Sequence, residues 1–219
     1  MITKIVLVRH GTTMTPDDEI DTLFRQNRKS NLNHLGLLQG EGVAKSVSVF
    51  GADILFSSQY TRAIETANII TQYHPNLFIN TDSLLNELTR IVDGVDMYSE
   101  LNRQYREWRG KMLKDARIHD KFHPTDQSLY EKLEEMLKFV GKVIKECAGQ
   151  KVIVVGHSQG ISLFLSYIDM INAKNESPES LVFYFNKRFM NNGGITTIEY
   201  DDRKDRWTIV RFNDTRHLP

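Results

Sequence analysis

Residues 2–13 read Ile2-Thr3-Lys4-Ile5-Val6-Leu7-Val8-Arg9-His10-Gly11-Thr12-Thr13, and this stretch decides the fold. The run from Ile5 to Val8 is apolar and rich in β-branched residues, which predicts a strand buried on both faces in a parallel sheet. Arg9 and His10 follow at its carboxyl end, where open α/β sheets bind their ligands. A guanidinium fork suits phosphate oxygens, and a neutral imidazole can attack phosphorus or move a proton. Gly11 permits a tight turn there. The stretch therefore predicts an anion site, the alternative being a strand that ends in two solvated polar residues.

The composition is that of a globular protein with balanced charge. The 219 residues suit a single domain over 1–219, and 40% of them are hydrophobic and 26% charged. Lys+Arg and Asp+Glu both number 28, so the charge gives no sign of a nucleic-acid or anionic-membrane partner. Cys147 is the single cysteine, which excludes a disulfide framework and a thiolate metal cluster. The first apolar run is too short for a signal peptide or a membrane span, so we expect a cytoplasmic protein with no membrane partner.

Strands and helices are predicted to alternate along the chain. The order is β-α-β-α, an insertion, α-β-α and then two or three strands. We therefore expect an α/β fold, a three-layer α/β/α sandwich with a mostly parallel central sheet. The predicted helices are 33–50, 60–71, 128–148 and 158–171, and the predicted strands after the first are 53–56, 77–79, 151–155, 181–186, 194–200 and 207–212.

Two segments interrupt this alternation. Residues 14–30 are polar and follow the predicted anion site, so we expect them to form one of its walls. Residues 93–123 carry aromatic and apolar side chains at helical spacing, which predicts a helical insertion that caps the site. The insertion has seven basic and six acidic residues, which does not support a dedicated basic patch.

Arg62 and Glu87 are further candidates for the site. Arg62 falls in the first turn of a helix after a strand end, where a bound anion would offset the conflict between its charge and the helix dipole. The alternative is a weak ion pair with Glu65 at helical spacing. Glu87 lies in the apolar stretch 84–88, where burial would raise its pKa and keep it protonated as a general acid requires. The alternative for Glu87 is a solvated loop position.

A second strand end, at residues 151–160, repeats the opening design. It reads Lys151-Val152-Ile153-Val154-Val155-Gly156-His157-Ser158-Gln159-Gly160 and delivers His157 after a β-branched strand. Residues 156–160 also match G-x-S-x-G, the nucleophile elbow of α/β-hydrolases, which would make Ser158 the nucleophile of a serine esterase. Asp201, Asp205 or Asp214 and then His217 would complete the order nucleophile, acid, histidine.

The other hypothesis, phosphoryl transfer, gives a role to the polar residues at all of these strand ends. Arg9, His10, Arg62 and His157 would converge on one dianion, with Glu87 opposite. Phosphoryl transfer needs charge neutralisation around the equatorial oxygens and an in-line nucleophile and leaving group. His10 would be the nucleophile, and Glu87 would protonate the leaving oxygen. The esterase hypothesis, in contrast, gives the arginines no role and lacks an early His-Gly-Gly-Gly oxyanion loop.

Several motifs support the phosphoryl-transfer hypothesis together. They are Arg9-His10-Gly11-Thr12-Thr13, residues 58–67 with Arg62-Ala63 and Glu65-Thr66-Ala67, Glu87, and Gly156-His157, with weaker matches at residues 31–39 and 213–218. In this order they resemble the histidine phosphatase superfamily, which includes the cofactor-dependent phosphoglycerate mutases. The similarity covers most of the chain outside 93–123.

The resemblance implies a mechanism. It implies a phosphohistidine intermediate on His10 and a phosphate pocket of Arg9, Arg62, His10 and His157. Glu87 would be the proton donor and then the base toward water. No metal or other cofactor is implied, and no His, Asp or Glu grouping has metal-ligand spacing. In this family a serine such as Ser158 simply follows the second histidine.

Departures from the family pattern favour a phosphatase over a mutase. Pro16 stands where the mutases carry an asparagine, and residues 87–91 replace their Glu-Arg-His-Tyr-Gly block. The match at Glu87 is loose, so Asp93 is the alternative acid. The residue after His157 is not aspartate, which argues against the acid-phosphatase and phytase branch.

Three other functions stay open at this stage. They are a mutase-type phosphotransferase, the Ser158 esterase and a catalytically silent binder of phosphorylated ligands. The substrate is expected to be a small phosphorylated molecule, such as a sugar phosphate, nucleotide or cofactor precursor, with a phosphoprotein as the alternative. The sequence does not indicate an oligomeric state.

Overall fold

The computed structural model describes residues 1–13, 30–92, 95 and 99–219, and within them a six-stranded sheet lies between helices. The strands are β1 (Ile2–Arg9), β2 (Ile54–Ser57), β3 (Ile79–Thr81), β4 (Lys151–Gly156), β5 (Ile195–Asp201) and β6 (Arg206–Asp214). The helices are α1 (His34–Ser48), α2 (Thr61–Gln72), α3 (Glu100–Lys114), α4 (Leu129–Glu146), α5 (Ser158–Asn172) and α6 (Pro178–Phe185), with a 3-10 helix at Ser83–Leu85.

The strand order is β3-β2-β4-β1-β5-β6, which places β1 inside the sheet. β1 pairs in parallel with β4 and antiparallel with β5. β2 pairs in parallel with both β4 and β3, and β5 pairs antiparallel with β6. Four neighbouring strands are therefore parallel and two antiparallel strands extend one side, which confirms the mostly parallel α/β sheet.

The side chains on the two faces of β1 pack into two separate apolar clusters. Ile5 and Leu7 lie in a cluster with apolar residues of α4 and α5, whereas Val6 and Val8 pack against α1 and α2. All four side chains are buried, as expected for a central strand whose residues alternate between faces. The result is the predicted three-layer sandwich.

A third apolar cluster lies beyond the sheet. It joins Met112 of α3 to residues of α4, α5 and α6, among them Leu133, Leu163 and Leu181. Tyr105 of α3 is buried and packs against Trp108 and the nearby Phe122 ring. The helix predicted in the insertion is found, and its aromatic residues serve packing.

The strand predicted at residues 181–186 is wrong, because residues 181–185 belong to α6 and Asn186 is its C-cap. The side chain of Ser177 accepts from the Ser180 amide, and Pro178 occupies the first turn. These are helix-start signals, and they outweigh the aromatic and β-branched character of the segment, whose Leu181 and Val182 are buried toward the third cluster.

The other elements agree with the predictions to within a few residues. Asn33 caps α1 by accepting from the Gly36 amide at 2.8 Å. The edge strand predicted at 77–79 lies at 79–81. None of the helices in the described residues is long and apolar enough to cross a membrane.

Candidate active site

Two neighbouring strands bring site residues to one edge of the sheet. β1 and β4 are paired with Arg9 opposite Gly156, so His10 and His157 leave the sheet side by side. The His10 amide donates to the Gly156 carbonyl at 3.1 Å, which continues the pairing past the last residue of β1. The two imidazole centroids lie 5.0 Å apart. The strand ends therefore meet as the sequence indicated.

The turn after β1 is packed backbone against backbone. A Cβ at Gly11 would collide with the Gly36 carbonyl in the first turn of α1, and a Cβ at Gly36 would collide with the Thr12 carbonyl. The Gly11 amide also donates to the Thr66 hydroxyl of α2 at 3.2 Å. The absence of a side chain at both glycines lets α1 pack directly on this turn, and this packing fixes the backbone that carries His10.

Arg62 joins the two imidazoles. It is 4% exposed and lies in the first turn of α2. Its Nε donates to His10 Nε2 at 3.1 Å, and its Nη2 lies 3.2 Å from His157 Nδ1. A guanidinium can only donate, so both ring nitrogens accept. Glu65, the predicted alternative partner, accepts from the Leu32 amide at 2.6 Å.

The hydrogen bonds of His10 determine its tautomer. Nδ1 lies 2.7 Å from the Gly11 carbonyl, which can only accept, so Nδ1 carries the proton. Nε2 accepts from Arg62 and therefore holds the lone pair. These contacts describe a neutral imidazole that is protonated on Nδ1 and unprotonated on Nε2.

His157 begins a directed chain of hydrogen bonds. Because its Nδ1 accepts from Arg62, a neutral His157 carries its proton on Nε2, which donates to Ser58 Oγ at 2.8 Å. Ser58 Oγ in turn donates to Asn86 Oδ1 at 3.0 Å. The chain thus reaches Asn86, which directly precedes Glu87 and whose Nδ2 donates onward to Gln59 Oε1 at 3.2 Å. Sequence reasoning missed the roles of Ser58 and Asn86, although Ser58 stands directly after a strand end.

Both histidines are held neutral by their surroundings. Burial is the main cause that lowers the pKa of His10 well below its ordinary range, and Arg62 and Arg9 lower it further, while the Gly11 carbonyl raises it. Burial and then Arg62 likewise lower the pKa of His157 well below the ordinary range. Both imidazoles are therefore uncharged at neutral pH.

Arg9 lies beside the two histidines and is partly buried. Its Nη1 donates to the Met190 carbonyl at 2.6 Å, and its guanidinium lies 5.4 Å from the Phe189 ring centroid. Its Nε is buried and has no hydrogen-bond partner within the described part of the chain. Burial lowers the pKa of Arg9, and the charge of Glu87 partly offsets this. A phosphoryl oxygen is an acceptor that would satisfy the buried Nε.

We call Arg9, His10, Arg62 and His157 the cradle. The structure brings these four predicted residues together, with two guanidinium groups and two neutral imidazoles around one point. Such a set can neutralise an anion while presenting a nucleophile. Their individual chemical roles remain predictions.

A cavity of about 430 Å³ opens beside the cradle. Arg9 and Glu87 both line it, which places the predicted acid on the cavity side of the cradle. Glu87 is only partly buried, between the buried Leu85 and Leu88, and its Oε1 accepts from the Leu88 amide at 3.0 Å. The burial predicted for Glu87 is therefore found only in part.

The insertion contributes to this cavity. Arg109 and Leu113 of α3 line it, together with Arg90 and with Phe185 from the end of α6. Arg109 donates to Gln159 Oε1 of α5 at 3.1 Å, two residues after His157. The sequence did not single out Arg90, Arg109 or Gln159 for the site, because their approach depends on how α3 packs.

The described residues do not assemble the serine triad. Ser158 Oγ lies 3.5 Å from the Met190 carbonyl. His217 has its Nε2 2.9 Å from the Gly193 carbonyl. The three candidate aspartates bind elsewhere: Asp201 accepts from the Arg203 amide, Asp205 from the Tyr200 hydroxyl and Asp214 from Arg216.

Two predictions lie outside the described residues. They are the wall formed by residues 14–30, of which only Ser30 is described, and the alternative acid Asp93. Among the residues that are described, no group of three or more His, Cys, Asp or Glu side chains could hold a metal ion.

Comparison with known proteins identifies the family. The model of the histidine phosphatase superfamily (branch 1) matches residues 5–215. The chain belongs to this superfamily. This histidine phosphatase is 25% identical over 219 residues to the uncharacterized phosphatase PhoE of Bacillus subtilis, covering 99% of this chain and 97% of that protein. It is also 25% identical over 221 residues to the probable phosphoglycerate mutase GpmB of Yersinia pestis, covering 98% and 94%.

A solved structure shares the fold. YhfR from Bacillus stearothermophilus superposes with a TM-score of 0.78 at 18% identity, covering 99% of this histidine phosphatase and all of that chain. The likeness confirms the fold predicted from the sequence.

Proposed function

We propose that this histidine phosphatase hydrolyses a phosphomonoester through a phosphohistidine on His10. One observation carries the proposal. Arg62 bridges His10 Nε2 and His157 Nδ1 while the Gly11 carbonyl holds His10 Nδ1–H. This arrangement presents a nucleophilic nitrogen next to a cation, as phosphoryl transfer requires.

In the first step His10 Nε2 attacks phosphorus. Arg62 turns its donors from the ring nitrogens to the phosphoryl oxygens, and Arg9 offers its buried Nε to the same group. The P–O bond to the alcohol breaks as the P–N bond forms. Glu87 gives a proton to the leaving oxygen, and the Gly11 carbonyl stabilises the positive charge that develops on the ring.

In the second step water completes the hydrolysis. The Glu87 carboxylate removes a proton from a water molecule, whose oxygen attacks phosphorus. The P–N bond breaks, its electron pair returns to Nε2, and phosphate leaves. Glu87 therefore acts first as acid and then as base.

The size of the cavity supports a small substrate. A volume of about 430 Å³ lies within the range for metabolite-sized ligands. We further propose that residues 1–219 form one domain in which the 93–123 insertion caps this cavity. The cytoplasmic location stays a prediction.

The test compares a generic aryl phosphate with a generic aryl ester. Wild type is expected to release phosphate, with a loss of about 10⁴-fold or more in His10→Ala and little change in Ser158→Ala. Rapid quenching with ³²P-labelled substrate should trap an acid-labile, alkali-stable phosphoenzyme in wild type and in Ser158→Ala, but not in His10→Ala.

Other results would assign other functions. Ester cleavage that Ser158→Ala abolishes would establish the esterase. Isomerisation of a phosphoglycerate with no net phosphate release would establish the mutase. Phosphate release that survives His10→Ala unchanged would refute the mechanism.

A further inference from the structure

We propose that Lys132 of α4 is a positioning residue for the acid step, and that its buried ammonium group fixes the segment that carries Glu87. The inference rests on the proposed function, because it gives Lys132 a part in the step in which Glu87 protonates the leaving oxygen. Lys132 is not among the described residues that line the cavity. It therefore acts on this step through the segment and not on the substrate.

The first argument is the burial of a charged side chain. Lys132 is 1% exposed and lies in α4 next to Leu133 and near Met136, which are also buried. Its Nζ donates to Glu135 Oε2 and to the Leu84 carbonyl, both at 2.9 Å. Removing an ammonium group from water costs free energy that a methionine at the same position would not cost. Packing alone therefore does not account for a lysine here.

The second argument is the place of the carbonyl that Lys132 binds. This carbonyl lies at the end of the 3-10 helix. The Asn86 amide donates to the Ser83 carbonyl at 3.0 Å and closes the last turn, after which the Asn86 backbone is extended at φ −60° and ψ 153°. The next carbonyl, that of Leu84, accepts from Lys132. Carbonyls at a helix end need a donor from outside the helix, and a lysine can supply it. Lys132 thus caps the turn where the chain leaves it for Glu87.

The third argument is that the same segment is joined to the cradle on its other side. Asn86 Oδ1 accepts from Ser58 Oγ, which in turn accepts from His157 Nε2. Glu87 follows Asn86 directly and lines the cavity. The segment is therefore held between the ammonium group of Lys132 and the hydrogen bonds that lead from His157. Loss of the ammonium group would release one side, and a small displacement of an acid from its substrate is costly to the rate.

The fourth argument is that Lys132 also supports the helix after His157. A Cβ at Gly160, in the first turn of α5, would lie 3.1 Å from Lys132 Cε, so the lysine stem packs against this turn. Burial, Arg62, His10 and then the charge of Lys132 lower the pKa of His157. One buried side chain thus contacts both the acid segment and the helix that begins at the second histidine.

The test uses the leaving group to isolate the acid step. Phenyl phosphate needs a proton on its leaving oxygen, whereas 2,4-dinitrophenyl phosphate releases a stable phenolate without one. The readout is kcat/KM for phenyl phosphate divided by kcat/KM for the dinitrophenyl ester, since kcat/KM covers the steps up to phosphoryl transfer to His10. Loss of folded enzyme lowers both values equally, so a merely structural role of Lys132 would leave this ratio unchanged.

In Lys132→Met the ratio should fall by about tenfold to a hundredfold, through the value for phenyl phosphate. Lys132→Gln keeps an N–H donor without the charge and should retain part of the ratio, and it carries the test if Lys132→Met does not fold. Glu87→Gln removes the acid itself and should lower the ratio by about a hundredfold or more.

Lys142→Met is the matched control. Lys142 lies on the same helix and donates to Asp82 at the start of the 3-10 helix, but this pair is at the surface. Its removal should leave the ratio as in wild type, because exposed ion pairs contribute little. A fall of the same size in Lys142→Met and Lys132→Met would overturn the specific role of Lys132.

The outcomes separate this inference from the proposed function. Equal ratios in wild type and in the Lys132 variants, together with a reduced ratio in Glu87→Gln, overturn the positioning role and leave the proposed function intact. An unchanged ratio in Glu87→Gln refutes Glu87 as the acid, and the positioning role falls with it.

A second measurement does not depend on catalysis. If neither ester is hydrolysed, the proposed function fails, and NMR of the His157 Nε2–H still tests how the segment is held. Its exchange with water should be about tenfold faster or more in Lys132→Met than in wild type and Lys142→Met, because the hydrogen bonds through Ser58 to Asn86 loosen. Equal exchange rates in all three proteins would overturn the inference.

Discussion

At the scale of single residues, the orientation of the His10 ring determines which nitrogen can react. The Gly11 carbonyl occupies Nδ1, and the lone pair on Nε2 faces Arg62. A ring flipped by 180° would place Cε1–H toward the guanidinium and Cδ2–H toward the Gly11 carbonyl, so both hydrogen bonds would be lost. In the proposed mechanism, this backbone oxygen therefore selects Nε2 as the nucleophile.

The first prediction concerns the protonation state of this ring. Because burial and Arg62 lower the pKa of His10, the imidazole should stay neutral and keep its Nδ1–H tautomer between pH 6 and 8. Long-range ¹H–¹⁵N NMR of the histidine side chains, assigned with His10→Gln, measures both properties. A resonance of His10 that titrates near pH 6.5 would contradict the prediction.

The second prediction concerns Ser58, whose hydroxyl oxygen accepts a hydrogen bond from His157 Nε2. Ser58→Ala removes the acceptor and should lower kcat by about tenfold to a hundredfold, a range seen when partners that orient histidine ligands are removed. The Michaelis constant should change little. Ser166→Ala is the control, since that buried hydroxyl donates to the Ser162 carbonyl inside α5, away from the cradle. Equal losses of kcat in both variants would refute the role of Ser58.

At the scale of elements, the approach of α1 to the turn after β1 depends on two glycines. The third prediction compares two helical glycines. Gly36→Ala should destabilise the protein by about 2 kcal/mol or more, because the new methyl group meets the Thr12 carbonyl. Gly141→Ala, in α4, meets nothing within 4 Å and should stabilise by about 0.5–1 kcal/mol. Urea unfolding measures both, and similar midpoint shifts in the two variants would be evidence against the close contact.

Elements with strong local signals could be predicted from the sequence, and the exceptions have physical causes. Asn33 is a typical N-cap residue, and it caps α1. The run 151–156 is rich in β-branched residues, and it forms β4. Residues 181–186 are apolar and aromatic, so strand and helix fit equally well until Ser177-Pro178 is recognised as a helix start. Lys132 is 1% exposed, with Nζ bound to the Leu84 carbonyl and Glu135, because packing of α4 over the 3-10 helix overrides its polarity.

The residues of the candidate site also differ in whether the sequence could predict their position. Arg9, His10 and His157 stand directly after strands, so their meeting follows from the parallel arrangement. Arg109 and Gln159 belong to different helices, and their contact follows only from how α3 packs on α5. The sequence pattern of α3 predicts a helix but says nothing about its direction over the sheet.

At the scale of the whole molecule, the two neutral histidines make stability depend on pH. Their folded pKa values lie below the unfolded value of about 6.5, so the unfolded chain binds more protons between these values. Stability should therefore rise with pH through this window and fall on acidification below about pH 6.5, with a limiting slope of about 2.7 kcal/mol per pH unit.

Denaturant unfolding from pH 7.5 to 5 in phosphate-free buffer measures this slope. Phosphate is left out because an anion that binds the native state adds its own stabilisation. His157→Gln should reduce the slope by about half, since one of the two groups no longer titrates. A flat wild-type curve would mean that the histidines take up protons without unfolding.

The strand order has a consequence for folding of the chain during its synthesis on the ribosome. The two neighbours of β1 are β4 and β5, so β1 finds its partner strands only after Lys151 has been translated. At about 5–20 residues per second this delay lasts roughly 7–30 s, during which an apolar strand is exposed to chaperones and to other nascent chains. Chains stalled before residue 151 should therefore be protease-sensitive over residues 2–9, and resistance should appear only when β4 and β5 have emerged.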